Sequence, residues 1–165
     1  MRSFAEAFRL QAASDLHGYE ALVPTQLPVS HRLHYLQMWL EKLCKAYLWL
    51  PGTDAEDLRT RHQVVGAVLP RLVAERWRRL PAFGQQRPNM GAIRVLCREV
   101  DLLHPQVDDG GRRPDNVEYP WEDGGSSVVP AEFKFALAGK LYKNPGPTLL
   151  KAAVQLTHDP ALLLG

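Results

Sequence analysis

Arginine is the residue type in this chain best suited to binding phosphate, and it supplies 14 of the 20 basic residues. Its planar guanidinium donates paired hydrogen bonds to a phosphate or a carboxylate. Several arginines cluster in one predicted helix, and another lies in the next. The candidates for binding RNA or a nucleotide are Arg71, Arg78, Arg79 and Arg94. The alternative is a solvated helix face whose charges pair with Glu75 and with acidic loops.

The sequence gives little support for metal, thiol or hydrolase chemistry. His31 and His34 lie one helical turn apart, but such isolated pairs are more often structural or exposed, so we expect no metal and no cofactor. The two cysteines fall mid-helix beside apolar residues, which favours buried, reduced thiols. No glycine-rich loop follows a strand, and Ser126-Ser127 lacks the elbow pattern of a hydrolase.

Length and composition are typical of one ordinary globular domain spanning residues 1–165. The chain is 45% hydrophobic and 23% charged, and its net charge of +2 gives no argument for nucleic acid. Arg2, Glu6 and Arg9 interrupt the N-terminal apolar residues, which argues against a signal peptide. No stretch approaches the length of a membrane span, so we expect no membrane contact and a cytoplasmic location.

Apolar periodicity predicts an all-α fold, an up-and-down bundle of four main helices. They cover about 3–22, 30–50, 62–80 and 89–104, and one or two short helices follow within 131–143 and 148–158. The second helix carries two apolar stripes and only a narrow polar edge, formed by His34, Gln37, Glu41 and Lys45. It is therefore either the central helix of the bundle or a helix that also packs on a second subunit. The breadth of this surface favours a homodimer.

A long segment, 105–130, separates the fourth helix from the C-terminal helices. Segments of this length in a compact domain are usually functional or disordered. Two aromatic side chains argue for order, because they offer a large area to bury, and we expect Trp121 to anchor the segment across the bundle. The candidate partner or groove residues are Glu118, Tyr119 and Trp121. The alternative is that the segment merely completes the core.

The first two predicted helices carry a family resemblance. They contain Gln11-Ala-Ala-Ser-Asp-Leu16, then His34-Tyr-Leu-Gln-Met38 and Glu41-Lys-Leu-Cys-Lys-Ala46. These segments resemble the HEPN superfamily, in which a helix of the form QA..DL..A..L precedes HYLQMA.EK..KA.L. His62 is placed like the histidine that opens that family's third helix. The resemblance covers about half of the chain. It implies a helical bundle that often dimerises and a role in RNA cleavage, nucleotide binding or partner binding.

HEPN ribonucleases use an Arg followed four to six residues later by a His, and dimerisation brings two such pairs into one cleft. Arg98 and His104 match that spacing here. RNA cleavage by its own 2′-hydroxyl needs a group to move protons and a cation to stabilise the phosphate. Continuous helix would place the two side chains about 120° apart, so convergence requires the helix to unwind before Pro105. The alternative is that Arg94, Arg98 and Asp101 form the solvated edge of an amphipathic helix.

Two functions follow as hypotheses. The first is a HEPN-like accessory or interaction protein in a bacterial defence or toxin–antitoxin setting, which binds a nucleotide, RNA or a protein partner such as a nucleotidyltransferase. The second is a metal-independent endoribonuclease, in which Arg98 stabilises the phosphate and His104 moves the proton at a dimer cleft.

Overall fold

The computed structural model describes residues 3–79, 88–107 and 116–159, and within these ranges the chain is mostly helical. This confirms the all-α class, with one small hairpin as an exception. The helices are α1 (Phe4–Leu22), α2 (Val29–Leu48), α3 (Ala55–Thr60), α4 (Val65–Arg79), α5 (Met90–Asp101), α6 (Ala136–Lys140) and α7 (Gly146–His158). The two strands are β1 (Trp121–Asp123) and β2 (Ser126–Val128).

Helix α2 is the central element of the fold. It packs on α1 as a helical hairpin and also contacts α4, α5 and α7. Its apolar side chains are completely buried on several sides, as Leu33, Trp39 and Leu43 show. The breadth of its apolar surface is thus explained by enclosure within one chain. The breadth of the apolar surface of α2 therefore no longer supports dimerisation, which stays a prediction.

Helix α7 confirms the C-terminal helix predicted within 148–158; it begins two residues earlier, at Gly146, and packs in the core. Leu149, Ala153 and Leu156 join the hydrophobic core. The indole nitrogen of Trp39 in α2 donates to the hydroxyl of Thr157 at 2.8 Å, which satisfies the polar end of a fully buried ring. Helix α7 therefore forms part of the core rather than an appendage.

The predicted long segment is ordered over residues 116–130, and it contains a hairpin that the sequence reading missed. Strands β1 and β2 pair antiparallel, with Asp123 opposite Ser126. Gly124 and Gly125 form the two-residue turn with φ of 57° and 81°, as a turn of the I′ type requires. Trp121 is buried against Phe133 and Phe135, so it anchors the segment as expected. Residues 108–115 lie outside the described residues.

Helices α4 and α5 form the second helical pair. Helix α4 continues through Pro70 as one element, and Asn89 caps α5 by accepting from the amide of Ala92 at 3.1 Å. Helix α5 ends at Asp101, three residues earlier than expected, so His104 lies in the turn that follows it. No helix in the described ranges is both long enough and apolar enough to cross a membrane.

Candidate functional site

The candidate site lies where α4 begins and α5 ends. The carboxylate of Asp101 accepts hydrogen bonds from the backbone amides of Val65 at 2.9 Å and Gly66 at 2.8 Å. These amides belong to the first turn of α4, where backbone N–H groups have no carbonyl acceptor within their own helix. Asp101 therefore caps α4 from the end of α5. Asp101 is buried, so its assignment to a solvated helix edge was wrong.

This junction brings two histidines together. His62 precedes α4 and His104 follows α5, and their rings stack with centroids 3.7 Å apart and planes 13° from parallel. The contact is possible because α5 ends at Asp101. The backbone at His104 is no longer helical, so its side chain can lie over the ring of His62. Both rings are only partly exposed.

The floor of the site is the polar edge of α2. The buried carboxylate of Glu41 accepts from the Gln37 amide at 2.7 Å and from the Lys45 ammonium at 2.6 Å, and it lies 3.4 Å from Nδ1 of His62. Lys45 also donates to the carbonyl oxygen of Arg59 at 2.8 Å. The buried charges of Glu41 and Lys45 are therefore paired and hydrogen-bonded, as burial requires.

Burial shifts the acid–base properties of two groups in this region. Burial lowers the pKa of His104 to about 4, and the nearby His62 and Lys45 lower it further than Glu41 raises it. His104 is thus neutral at pH 7. Burial also raises the pKa of Asp101 to about 6, although its two amide hydrogen bonds act in the opposite direction.

An open pocket of about 450 Å³ covers the two histidines, and we call it the histidine pocket. Its lining includes Arg59, His62, His104, Glu118 and Tyr119. The Tyr119 side chain is 60% exposed beside it. Of the three predicted groove residues, Glu118 and Tyr119 therefore border a pocket, whereas Trp121 lies in the core. Glu118 also approaches His34, with Oε1 3.6 Å from Nδ1.

A second pocket, of about 800 Å³, lies beside α4 and α5. Three of the four predicted phosphate-binding arginines line it: Arg71, Arg78 and Arg94. A third pocket, of about 580 Å³, shares Arg71 with this one and shares Thr60, His62 and Gln106 with the histidine pocket. The three pockets are therefore neighbours that share lining residues, and we call them together the groove.

The arginines differ in their surroundings. Arg78 and Arg79 both pair with Glu75, at 2.6 Å and 2.9 Å, and Arg79 does not line the groove. Among the described residues no ion pair is recorded for Arg71 or Arg94, which are both exposed. Arg71 and Arg94 thus have the charge most open to a ligand.

Arg98 does not line the pocket that holds His104. Arg98 is exposed on α5, and its Cγ lies near Gly66 on the adjacent turn of α4. It is not among the described residues that line the groove. The cation that borders the histidine pocket is instead Arg59.

Sequence reasoning missed Glu41 and His62 as site residues. Glu41 and Lys45 read as an ordinary i,i+4 pair, and His62 read only as the start of a helix. The available signal was the polar edge of α2. A helix that is apolar on most sides is enclosed, so polar residues repeated at four-residue intervals on it must be buried together.

Among the described residues, one group has the geometry to hold a metal ion. Ligand atoms of Glu41, His62 and His104 all lie within 4.8 Å of one another. Each of these side chains already has protein hydrogen-bond partners. Cys44 and Cys97 are free and buried elsewhere, and burial raises the pKa of both thiols, as expected of unreactive cysteines.

No protein-family model, curated protein or solved structure matches this chain. The resemblance to the HEPN superfamily therefore rests on the sequence segments quoted above.

Proposed function

We propose that this chain is a HEPN-like helical protein that binds single-stranded RNA in the groove and acts as an accessory protein in bacterial defence or a toxin–antitoxin pair. The observation that carries the proposal is that the arginine-lined pocket and the histidine pocket each share lining residues with the pocket between them. Arg71 and Arg94 lie towards one end, and the histidine pocket lies at the other. The arginines at one end of the groove can pair with phosphates, and the polar, titratable side chains at the other end can form hydrogen bonds. This lining suits a phosphate-bearing chain better than an apolar ligand.

Tyr119 adds a second element of recognition. Its ring is exposed at the rim of the histidine pocket. Exposed aromatic rings beside basic grooves stack on unpaired bases, whereas arginines contact the backbone. The groove therefore has arginines that can contact the RNA backbone and an aromatic ring that can stack on a base.

The test is fluorescence anisotropy with a labelled, mixed-sequence RNA whose 2′-hydroxyls are methylated, so that it cannot be cleaved. Arg71→Gln and Arg94→Gln should each weaken binding about 5- to 10-fold and reduce the salt slope by about one. Lys143→Gln is the charge-matched control, since Lys143 is exposed between α6 and α7 and does not line the groove. Equal binding by all three variants would remove the groove from the proposal.

The second candidate function is a metal-independent endoribonuclease, and the position of His104 favours it. His104 lies at the groove, half-buried and next to a second histidine. In this function His104 moves a proton and Arg98 stabilises the phosphate. Cleavage of a mixed RNA pool in EDTA, lost in both His104→Ala and Arg98→Ala, would support that pairing. The HEPN resemblance also implies a homodimer, which light scattering of the purified protein would test.

A further inference from the structure

We propose that Glu41, His62 and His104 form an acid–base centre in which His62 is the general base for RNA cleavage by the ribose 2′-hydroxyl. The inference rests on the endoribonuclease candidate above, but it assigns the proton transfer to a residue that the Arg98/His104 pairing does not include. It follows from the hydrogen bonds of the two imidazoles.

The contact with Glu41 fixes the tautomer of His62. A carboxylate only accepts hydrogen bonds, so the ring nitrogen that faces it, Nδ1, must carry the hydrogen. Nε2 of His62 is then left with a free electron pair. At 3.4 Å the contact is longer than a standard hydrogen bond, and the proposed reaction requires it to shorten when RNA binds.

The backbone fixes the opposite tautomer in His104. The amide of Gln106 donates to Nδ1 of His104 at 3.2 Å, so this nitrogen is bare and Nε2 carries the hydrogen. The ring is also neutral at pH 7, because burial lowers its pKa to about 4. His104 therefore offers a hydrogen-bond donor without a full charge.

The stack places these complementary groups side by side. With the rings 3.7 Å apart, the pocket is bordered by one imidazole that accepts a proton and one that donates a hydrogen bond. The groups around them are Lys45 and Arg59 on the positive side, and Glu41 and Glu118 on the negative side. His34 faces Glu118 at the same edge.

Glu41 is a positioning residue. Gln37 and Lys45 hold both of its oxygens, so the carboxylate cannot turn away from His62. A carboxylate fixed in this way orients the imidazole and stabilises the imidazolium that forms when the ring takes a proton.

The reaction balances with these groups and solvent water. Nε2 of His62 takes the proton of the 2′-hydroxyl, and the 2′-oxygen forms a bond to the adjacent phosphorus. The bond from phosphorus to the 5′-oxygen breaks on the opposite side, a water molecule protonates that leaving oxygen, and His62 returns its proton to the hydroxide that remains. Nε2–H of His104 donates to a non-bridging phosphate oxygen as negative charge builds on it. The products are a 2′,3′-cyclic phosphate and a 5′-hydroxyl.

The experiment measures cleavage of a mixed RNA pool in EDTA, with the product ends identified by mass spectrometry. His62→Gln should slow cleavage about 10²- to 10⁴-fold, the usual contribution of a general base. The matched control is His17→Gln, because His17 is exposed on α1. In His62→Gly, added imidazole should restore cleavage, since the pocket is open and a free base can replace the missing ring. A purely structural role of His62 would not give this rescue.

Four outcomes would overturn the proposal. Full activity in His62→Gln, together with loss in Arg98→Ala, would return the reaction to the Arg98/His104 pair. Cleavage that stops in EDTA and returns with Zn²⁺ would make the same three side chains metal ligands. Failure of imidazole to rescue a folded His62→Gly variant would make His62 structural. Absence of cleavage would remove the centre, and binding of the methylated RNA would then show whether the groove proposal survives.

Discussion

The carboxylate of Asp101 accepts a hydrogen bond from the backbone amide of Gly66 at 2.8 Å, and this contact holds the end of α5 against the start of α4. His62 and His104 flank the junction, so their stacking depends on it. The contact is close because residue 66 has no side chain. A Cβ at this position would lie 2.8 Å from Oδ2 of Asp101 and 3.0 Å from Cγ of Arg98.

Substitution of Gly66 should therefore open the junction. We expect Gly66→Ala to lower the free energy of unfolding by about 1–3 kcal/mol, because overpacking displaces the Asp101 carboxylate from the helix amides. Chemical denaturation measures the change. Gly139→Ala is the matched control, since a Cβ there meets nothing within 4 Å in helix α6. It should be neutral or stabilise by up to about 1 kcal/mol. Equal effects of the two substitutions would contradict the argument.

Asp101 should give the protein a specific pH dependence. Burial raises the pKa of this carboxyl from 3.8 to about 6, so the folded state holds the proton more tightly than the unfolded state. The stabilisation from the protonated form is complete below pH 4 and is lost as the pH rises through about 6. The loss corresponds to about 3 kcal/mol at pH 7 relative to pH 3.

Urea denaturation between pH 3 and pH 7 tests this dependence by comparison with Asp101→Asn. The amide of the variant resembles the protonated carboxyl in charge and shape, so at pH 3 the two proteins should have similar free energies of unfolding. The variant cannot titrate, so it should become the more stable of the two as the pH rises through about 6. A constant difference between the two proteins would show that Asp101 has the same pKa folded and unfolded.

The sequence predicted the helices well because their apolar residues repeat with helical periodicity. It also predicted Trp121 as an anchor, because a large aromatic ring in a polar segment is stabilised by burying its apolar area. The contact of Glu41 with His62 and His104 could not be predicted, because these residues lie on three segments separated along the chain, although the polar edge of α2 indicated that Glu41 is buried. Asp101 was misassigned for a similar reason. A carboxylate in the last turn of a helix resembles a solvated edge unless the amides of another helix are known to lie beside it.

The neutral state of His104 is directly measurable. Burial lowers the pKa of its imidazole to about 4, and the neighbouring His62 lowers it further. NMR titration of the ring carbons should show His104 neutral down to about pH 4. In His62→Gln the pKa of His104 should rise, since one of the groups that lowers it is gone. A titration of His104 near pH 6.5 in the unmodified protein would contradict the burial seen here.

The histidine stack should also weaken in acid. Because the folded-state pKa of His104 lies below the unfolded value of 6.5, its contribution to stability is present above pH 6.5 and is lost as the pH falls through about 4. The ring is only partly buried, so solvent screens the effect and we expect only part of the full linkage energy. Hydrogen exchange of the Gln106 amide, which donates to His104, should accelerate selectively over this range relative to amides in α1.

Two aromatic residues of the 116–130 segment should separate stability from binding. Trp121 is buried against Phe133 and Phe135, so Trp121→Ala should lower the free energy of unfolding by about 3–5 kcal/mol. Tyr119 is 60% exposed at the histidine pocket, so Tyr119→Ala should change stability by less than about 0.5 kcal/mol. It should instead weaken binding of the methylated RNA by about 1–3 kcal/mol, the contribution of one stacked base. Chemical denaturation gives the free energy of unfolding of both variants, and anisotropy gives their affinity for RNA. Unchanged RNA binding by Tyr119→Ala would show that the ring does not contribute to RNA recognition.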